Sequence, residues 1–222
     1  MISVIPDILD YETAKSLRAR IRTLRFVDGA ATAGKFGQSV KRNLQLEPGP
    51  DAQKVQQAIM DAVLASLEFE MVARPLIVRT PLVARYQPGM EYGSHVDNAV
   101  MSGRPPIRSD MSFTLFLEDP ETYDGGELVI ESTYGEQEIK LPAGALVLYP
   151  TSALHHVAAV TRGERLVAVS WVQSMIRDPA RRELLYELDT ARRSLFDQHG
   201  KTPEFDAITK TFHNLLRMWA EV

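Results

Sequence analysis

The chain of 222 residues contains no cysteine. That excludes disulfides, zinc–thiolate centres and cysteine nucleophiles, and leaves histidine and carboxylate as the side chains able to hold a metal. No run of about 18 apolar residues occurs, and Met1 to Asp10 lacks the basic flank and apolar centre of a signal peptide. The expectations are a cytoplasmic protein with no membrane partner. Charge of one sign is scarce too. With a formal net charge of -4 and no long basic run, the electrostatic footprint of a nucleic-acid binder is missing, so no nucleic-acid partner is expected. Internal repeats, low-complexity tracts, a phosphate loop, a nicotinamide fingerprint and a Ser-His-Asp order are also absent. Gly125-Gly126 precedes a strand rather than a helix and reads as a tight turn, not a phosphate cradle.

What remains is the composition of a folded protein, 45% hydrophobic and 24% charged, in a length that suits one core with an appendage. Ala14, Leu17, Ile21 and Leu24 stand at helical spacing after Asp10, which predicts a capped helix over 11–25. Arg18, Arg20, Arg22 and Arg25 on that helix read as a solvated face. Phe26 to Leu46 reads as a Gly- and Ala-rich loop followed by a short strand. A second helix is predicted from Asp51 to before Pro75, with Val55, Ile59, Val63 and Leu67 on one face.

From Leu76 to Gln173 the pattern changes to short strands: Leu76 to Ala84, Ser112 to Leu117, Glu127 to Glu131, Ala145 to Tyr149 and Arg165 to Val172. Two helices follow, opened by Asp178-Pro179 and Thr202-Pro203. The first is striped by Leu184, Leu188, Ala191 and Leu195, the second by Phe205, Ile208, Phe212, Leu215 and Trp219. The fold class predicted is α+β, a double-stranded β-helix (jelly roll) with flanking N-terminal helices and a C-terminal helical extension. The division is a domain over 1–175, its core about 76–175, and an extension over 176–222.

The chemistry centres on Tyr92-Gly93-Ser94-His95-Val96-Asp97-Asn98. Residues two apart in an extended segment project to the same side, so His95 and Asp97 can converge on one ion. A second histidine would complete the two-histidine, one-carboxylate face that suits non-haem ferrous oxygenases. His155, His156, His199 and His213 are the candidates. His199 and His213 belong to the C-terminal helices and read as a helix-end and a packing residue. Only one of the adjacent pair His155-His156 can face the ion, and alternation does not say which. Arg165, at the start of an apolar strand, offers the bidentate permanent charge that a buried carboxylate needs. Lys41, Asn43, Gln45 and Asn98 are polar groups that could face a substrate. The stretch Ser102 to Ser109 after the metal motif reads as a lid or a connector.

These residues resemble the iron(II)- and 2-oxoglutarate-dependent dioxygenases, and within them the bacterial PKHD-type hydroxylases related to prolyl 4-hydroxylase. The resemblance is carried by Arg85-Tyr86-x-x-Gly89, His95-x-Asp97, Ser112 to Leu117, Tyr123 to Leu128, Tyr149-Pro150, Leu154-His155-x-Val157 and Val160 to Arg165. It extends to Trp171 to Met175 and His213 to Arg217.

It implies His155 as the third ligand, since in such enzymes a 2-oxoglutarate-binding base follows the distal histidine by about ten positions, where Arg165 stands. It also implies a Tyr86 contact with the co-substrate, and iron(II), 2-oxoglutarate and ascorbate as cofactors. The implied activity is hydroxylation of a small-molecule or peptide substrate as 2-oxoglutarate is converted to succinate and carbon dioxide. A link to iron homeostasis follows from the same resemblance, whereas the apolar C-terminal helices with Trp219, which could pack on the barrel or on a second subunit, suggest a homodimer. The alternatives are a non-catalytic jelly roll that binds a metal or small molecule, and a zinc hydrolase with the same triad.

Overall fold

The computed structural model describes residues 1–32, 37–103, 105–133 and 135–222. The N-terminal part contains β1 (Ser3–Ile5), α1 (Tyr11–Arg22), β2 (Phe26–Asp28), β3 (Lys41–Arg42), β4 (Leu44–Leu46), α2 (Pro50–Ala65) and α3 (Leu67–Ala73). The central part runs through β5 (Pro75–Val78), β6 (Leu82–Tyr86), β7 (Glu91–His95), β8 (Val100–Met101), β9 (Ile107–Arg108) and β10 (Met111–Phe116). It continues with β11 (Leu128–Ser132), β12 (Gly135–Ile139), β13 (Leu146–Pro150), β14 (His155–Val157) and β15 (Arg165–Ser174). Helices α4 (Pro179–His199) and α5 (Pro203–Trp219) complete it.

The helix starts follow their sequence signals. Asp10, Asp178 and Thr202 each accept backbone N–H groups of the following turn, and Pro179 and Pro203 fill the first helical position, where a missing N–H costs nothing. The predicted second helix is in fact two. Ser66 leaves the helical conformation and its hydroxyl caps α3 through the Phe69 N–H, so the chain turns and Leu67 is half exposed while Val55, Ile59 and Val63 are buried.

Two antiparallel sheets form the centre. The first has the order β1-β13-β10-β15-β6-β4-β2, with β5 continuing along the β6 side of β15. The predicted strand Leu76 to Ala84 is therefore split, because Pro81 has no N–H to give to the ladder. The second sheet has the order β12-β11-β14-β7-β3, and β8 and β9 pair as a separate ribbon. Sequence reading missed β1, β2, β8, β9 and β12, β9 lying within the stretch read as a lid or connector, and set the end of β15 two residues early.

Strands β10, β13 and β15 are buried on both faces. Met111, Phe113, Leu115, Leu146, Leu148, Leu166 and Ala168 face the core shared with α1, α2 and α3. The alternate residues Phe116, Val147, Tyr149 and Val167 meet Leu128, Ile130, Ile139 and Val157 of the second sheet. At about 1.5–3 kcal/mol for each large side chain, these two layers fix the spacing of the sheets and so of the groups between them.

Arg18 and Arg22 do not form the solvated face expected of them. Both reach the buried Glu118, at 3.2 and 2.5 Å, and tie α1 to the segment after β10. Helix α4 also departs by one residue from the predicted stripe. Arg182, Leu185 and Asp189 are the buried face of α4, whereas Leu184 is 54% exposed. The reason is polar: Arg74, at the end of α3, donates to Asp189 at 2.7 Å, and Arg192 and Arg193 approach the same carboxylate. Phe212 on α5 packs with Ile176 and Leu185 as predicted for its stripe. No helix among the described residues is long and apolar enough to cross a membrane.

Candidate active site

β7 and β14 are neighbours in the second sheet, and their register sets His95 opposite His155. Asp97 lies two residues beyond His95. The ligand atoms of His95, Asp97 and His155 all fall within 4.8 Å of one another, with each imidazole Nε2 3.8 Å from an Asp97 oxygen. His156 alternates to the other side of β14, opposite Val129, and His199 and His213 are exposed on α4 and α5. The structure thus brings together His95, Asp97 and His155 and leaves the other three histidines elsewhere.

Hydrogen bonds preset the donors. His95 Nδ1 lies 2.9 Å from the Gly93 carbonyl and His155 Nδ1 3.0 Å from the Ala153 carbonyl. A carbonyl only accepts, so each Nδ1 carries the proton and each Nε2 presents its lone pair to the centre. One Asp97 oxygen accepts from the Ser112 hydroxyl at 2.8 Å and from the Trp171 indole N–H at 2.9 Å. Burial, reinforced by the neighbouring His155 ring, lowers the His95 pKa to about 4, against the opposing pull of the Gly93 carbonyl and Asp97. At neutral pH the ring is therefore in the form that binds metal. Tyr92 stacks on His95 with ring centres 3.6 Å apart, and Tyr149 meets His155 edge-on at 5.2 Å.

A cavity of about 380 Å³ opens from this centre between the two sheets. Its first-sheet wall carries Arg165 and Tyr86, which are cross-strand partners on β15 and β6. Arg165 is 1% exposed, its guanidinium lies 5.0 Å from the Tyr86 ring and 5.6 Å from that of Phe116, and its Nε has no hydrogen-bond partner. No carboxylate among the described residues is within ion-pair distance. A permanent cation buried without an acid is costly unless an anion comes to it. Burial raises the Tyr86 pKa, which keeps its hydroxyl protonated as a neutral donor.

Lys41, Asn43 and Gln45 also line the cavity, the last two buried rather than solvated, and exposed Asn98 stands at its rim. Burial lowers the Lys41 pKa to about 8, against the attraction of Asp97 and Asp28. Of the predicted lid, Arg104 lies outside the described residues, as do Ala33 and Gly34 of the earlier loop. Ser112, Trp171 and Thr151, whose hydroxyl is 3.1 Å from that of Ser112, were not foreseen as site residues. The signal was available. A serine on a strand buried on both faces and a tryptophan inside an apolar strand each need a polar partner.

The donor set suits a metal of the ferrous type: two imidazoles, one carboxylate, and an adjoining cavity with a cation that has no acid partner among the described residues. Comparison with known proteins agrees. The 2OG-Fe(II) oxygenase superfamily model matches residues 81–173, and the model of the PKHD-type hydroxylase C-terminal domain matches residues 179–221. A PKHD-type hydroxylase of Synechococcus sp. (strain JA-2-3B'a(2-13)) is 50% identical over 224 residues, and one of Synechococcus elongatus is 51% identical over 223, each covering the whole of both chains.

The chain belongs to the PKHD-type hydroxylase family. It is accordingly a 2-oxoglutarate-dependent hydroxylase. At the level of fold, this hydroxylase is similar to a Pseudomonas putida prolyl-4-hydroxylase, with a TM-score of 0.56 and 20% identity over 78% of this chain and 92% of that one. The family places iron(II) and 2-oxoglutarate with the enzyme, and the His-Asp-His cluster and the buried arginine fit both.

Proposed function

We propose that this hydroxylase binds iron(II) through His95, Asp97 and His155 and anchors the far carboxylate of 2-oxoglutarate on Arg165, with the Tyr86 hydroxyl as a second contact. The observation that carries this reading is the buried guanidinium without an acid in the same cavity as the three donors. An iron held there would supply the oxygen chemistry that couples two oxidations, with one atom of dioxygen ending in succinate as 2-oxoglutarate loses carbon dioxide and the other in the hydroxylated substrate.

The protein's own work is positional. The Gly93 and Ala153 carbonyls hold both imidazoles in the ligating tautomer, Ser112 and Trp171 fix the Asp97 carboxylate, and the sheet-to-sheet apolar layer excludes water. We read the eight strands β6, β7 and β10 to β15 as a double-stranded β-helix, with β13-β10-β15-β6 facing β12-β11-β14-β7. The dioxygenase domain then spans 1–175 and the helical extension 176–222. The reading also includes ascorbate as a further cofactor, a role in iron homeostasis, and a homodimer through the exposed Leu184, Phe196 and Met218 of α4 and α5.

Anaerobic addition of ferrous iron and 2-oxoglutarate should give a weak visible charge-transfer band. Succinate release should follow on admitting oxygen and vanish in Asp97→Ala. Folded protein that binds iron yet gives neither signal would favour a non-catalytic metal binder.

A further inference from the structure

We propose that Lys41 receives the anionic group of the molecule to be hydroxylated, so that the substrate is a small carboxylate oxidised a few bonds from its acid group. This rests on the iron and 2-oxoglutarate reading above, which assigns the other cation of the cavity, Arg165, to the co-substrate.

The two cations stand on opposite walls, Arg165 on β15 of the first sheet and Lys41 on β3 of the second. Lys41 is held rather than free. Its ammonium donates to the Thr32 hydroxyl at 2.8 Å and rests 5.2 Å from the centre of the Tyr92 ring. That ring in turn stacks 3.6 Å from the His95 imidazole, at an interplanar angle of 17°. One aromatic ring thus separates the cation from a metal ligand. Lysines usually extend their charge into water, and holding one half-buried against the edge of a cavity costs side-chain freedom and part of its hydration.

No acid compensates Lys41 locally. Among the described residues no carboxylate lies within 4 Å of its nitrogen, and the two that act on it electrostatically are engaged elsewhere. Asp28 accepts the Ala30 N–H at 2.9 Å, and Asp97 is bound to Ser112 and Trp171 and belongs to the metal cluster. An ammonium has three donors, and Thr32 uses one. The others suit a carboxylate that enters past the exposed Val40 and Val96, which line the mouth of the cavity. The volume of about 380 Å³ is at the lower end for ligand sites and also has to admit 2-oxoglutarate, which favours a small substrate. With its acid group fixed on Lys41, a short apolar chain would run along Tyr92 toward the metal centre, a placement that selects one carbon for oxidation.

The test uses the full chain loaded with zinc(II), which takes the same donors without oxygen chemistry, and saturating 2-oxoglutarate. Matched probes, 3-methylbutanoate against 3-methylbutanamide and hexanoate against hexanamide, are titrated calorimetrically. The acids should bind at least about tenfold more tightly than the amides, and Lys41→Met should abolish that preference while 2-oxoglutarate affinity stays within about twofold. Lys41→Arg should retain the preference. Acids that bind no better than amides, or a preference that survives in Lys41→Met, would overturn the proposal. So would a Lys41→Met variant whose main loss is 2-oxoglutarate binding. If the wild-type protein fails to bind 2-oxoglutarate at all, the assignment of Arg165 fails instead.

Discussion

Replacing Arg165 by methionine should raise the stability of the ligand-free protein and abolish its response to 2-oxoglutarate. The guanidinium is 1% exposed, has an unpartnered Nε, and has no carboxylate within ion-pair distance among the described residues. A buried ion without a partner costs several kcal/mol even after relaxation, and stacking over Tyr86 and Phe116 offsets about 1–2 kcal/mol of that. Methionine keeps most of the stem's packing and removes the charge. The net gain of about 1–3 kcal/mol corresponds to a melting temperature higher by about 5 °C in a chain of this size.

The co-substrate reverses the order. At a concentration of about 100 times its dissociation constant, 2-oxoglutarate stabilises the wild-type protein by about 2.7 kcal/mol, a shift of about 8 °C. Loss of the charged partner costs about 2–5 kcal/mol of binding, so the variant should show no shift at the same concentration. Scanning calorimetry of the zinc-loaded proteins, with and without 2-oxoglutarate, should therefore give melting curves that exchange places. A variant that melts below the wild type without ligand would refute the cost assigned to the buried charge. One that keeps the ligand-induced shift would refute the assignment of Arg165 to the co-substrate.

Three other perturbations probe the rest of the site and its support. Ser112→Ala removes one of two donors to Asp97 and should weaken metal binding by about 10–100-fold, as read by competition with a chelating dye, without changing the fold. His155→Ala should abolish that binding and His156→Ala should leave it intact; the opposite pattern would contradict the register of β14. Burial alone would raise the pKa of Asp189, but hydrogen bonds and charges from Arg192 and Arg74 outweigh it and hold the carboxylate below its ordinary value of 3.8. A depressed folded value means stabilisation that is complete above that ordinary value and lost as the pH falls through the lower one. Asp189→Asn should cost about 3 kcal/mol at pH 7 and flatten the acid limb of the stability profile, and an unchanged acid limb in urea titrations would count against the cluster.

Local signals in the sequence carried the helix starts and the His95–Asp97 pair for different reasons. Asp10, Asp178 and Thr202 act within three residues of themselves, so neighbours in the chain are sufficient to locate α1, α4 and α5. His95 and Asp97 are likewise two apart on an extended segment. The choice between His155 and His156 depends on which face of β14 meets β7, a pairing across 60 positions that alternation alone leaves open. The stripe on α4 failed on the same ground. Leu184, Leu188, Ala191 and Leu195 form an apolar row, but α3 presents Arg74, and the helix turns Asp189 toward that charge.

The segment from Lys41 to Leu46 shows what that limit does to the reading of a site. Alternation places Lys41, Asn43 and Gln45 on one side of a strand, where solvent and substrate are equally good explanations. In the structure the segment pairs with β7 of the second sheet through Lys41 and Arg42, then with β6 of the first through Leu44 and Gln45. It therefore bridges the sheets and forms part of the cavity wall, which is why Asn43 and Gln45 are buried while Lys41 stays at the edge above Tyr92. A polar row that closes a cavity between two sheets is not a solvated face. Its first member brings a cation to the second-sheet wall of the cavity, across from Arg165 on the first, and on the proposal above that separation would keep the substrate's carboxylate apart from the far carboxylate of 2-oxoglutarate.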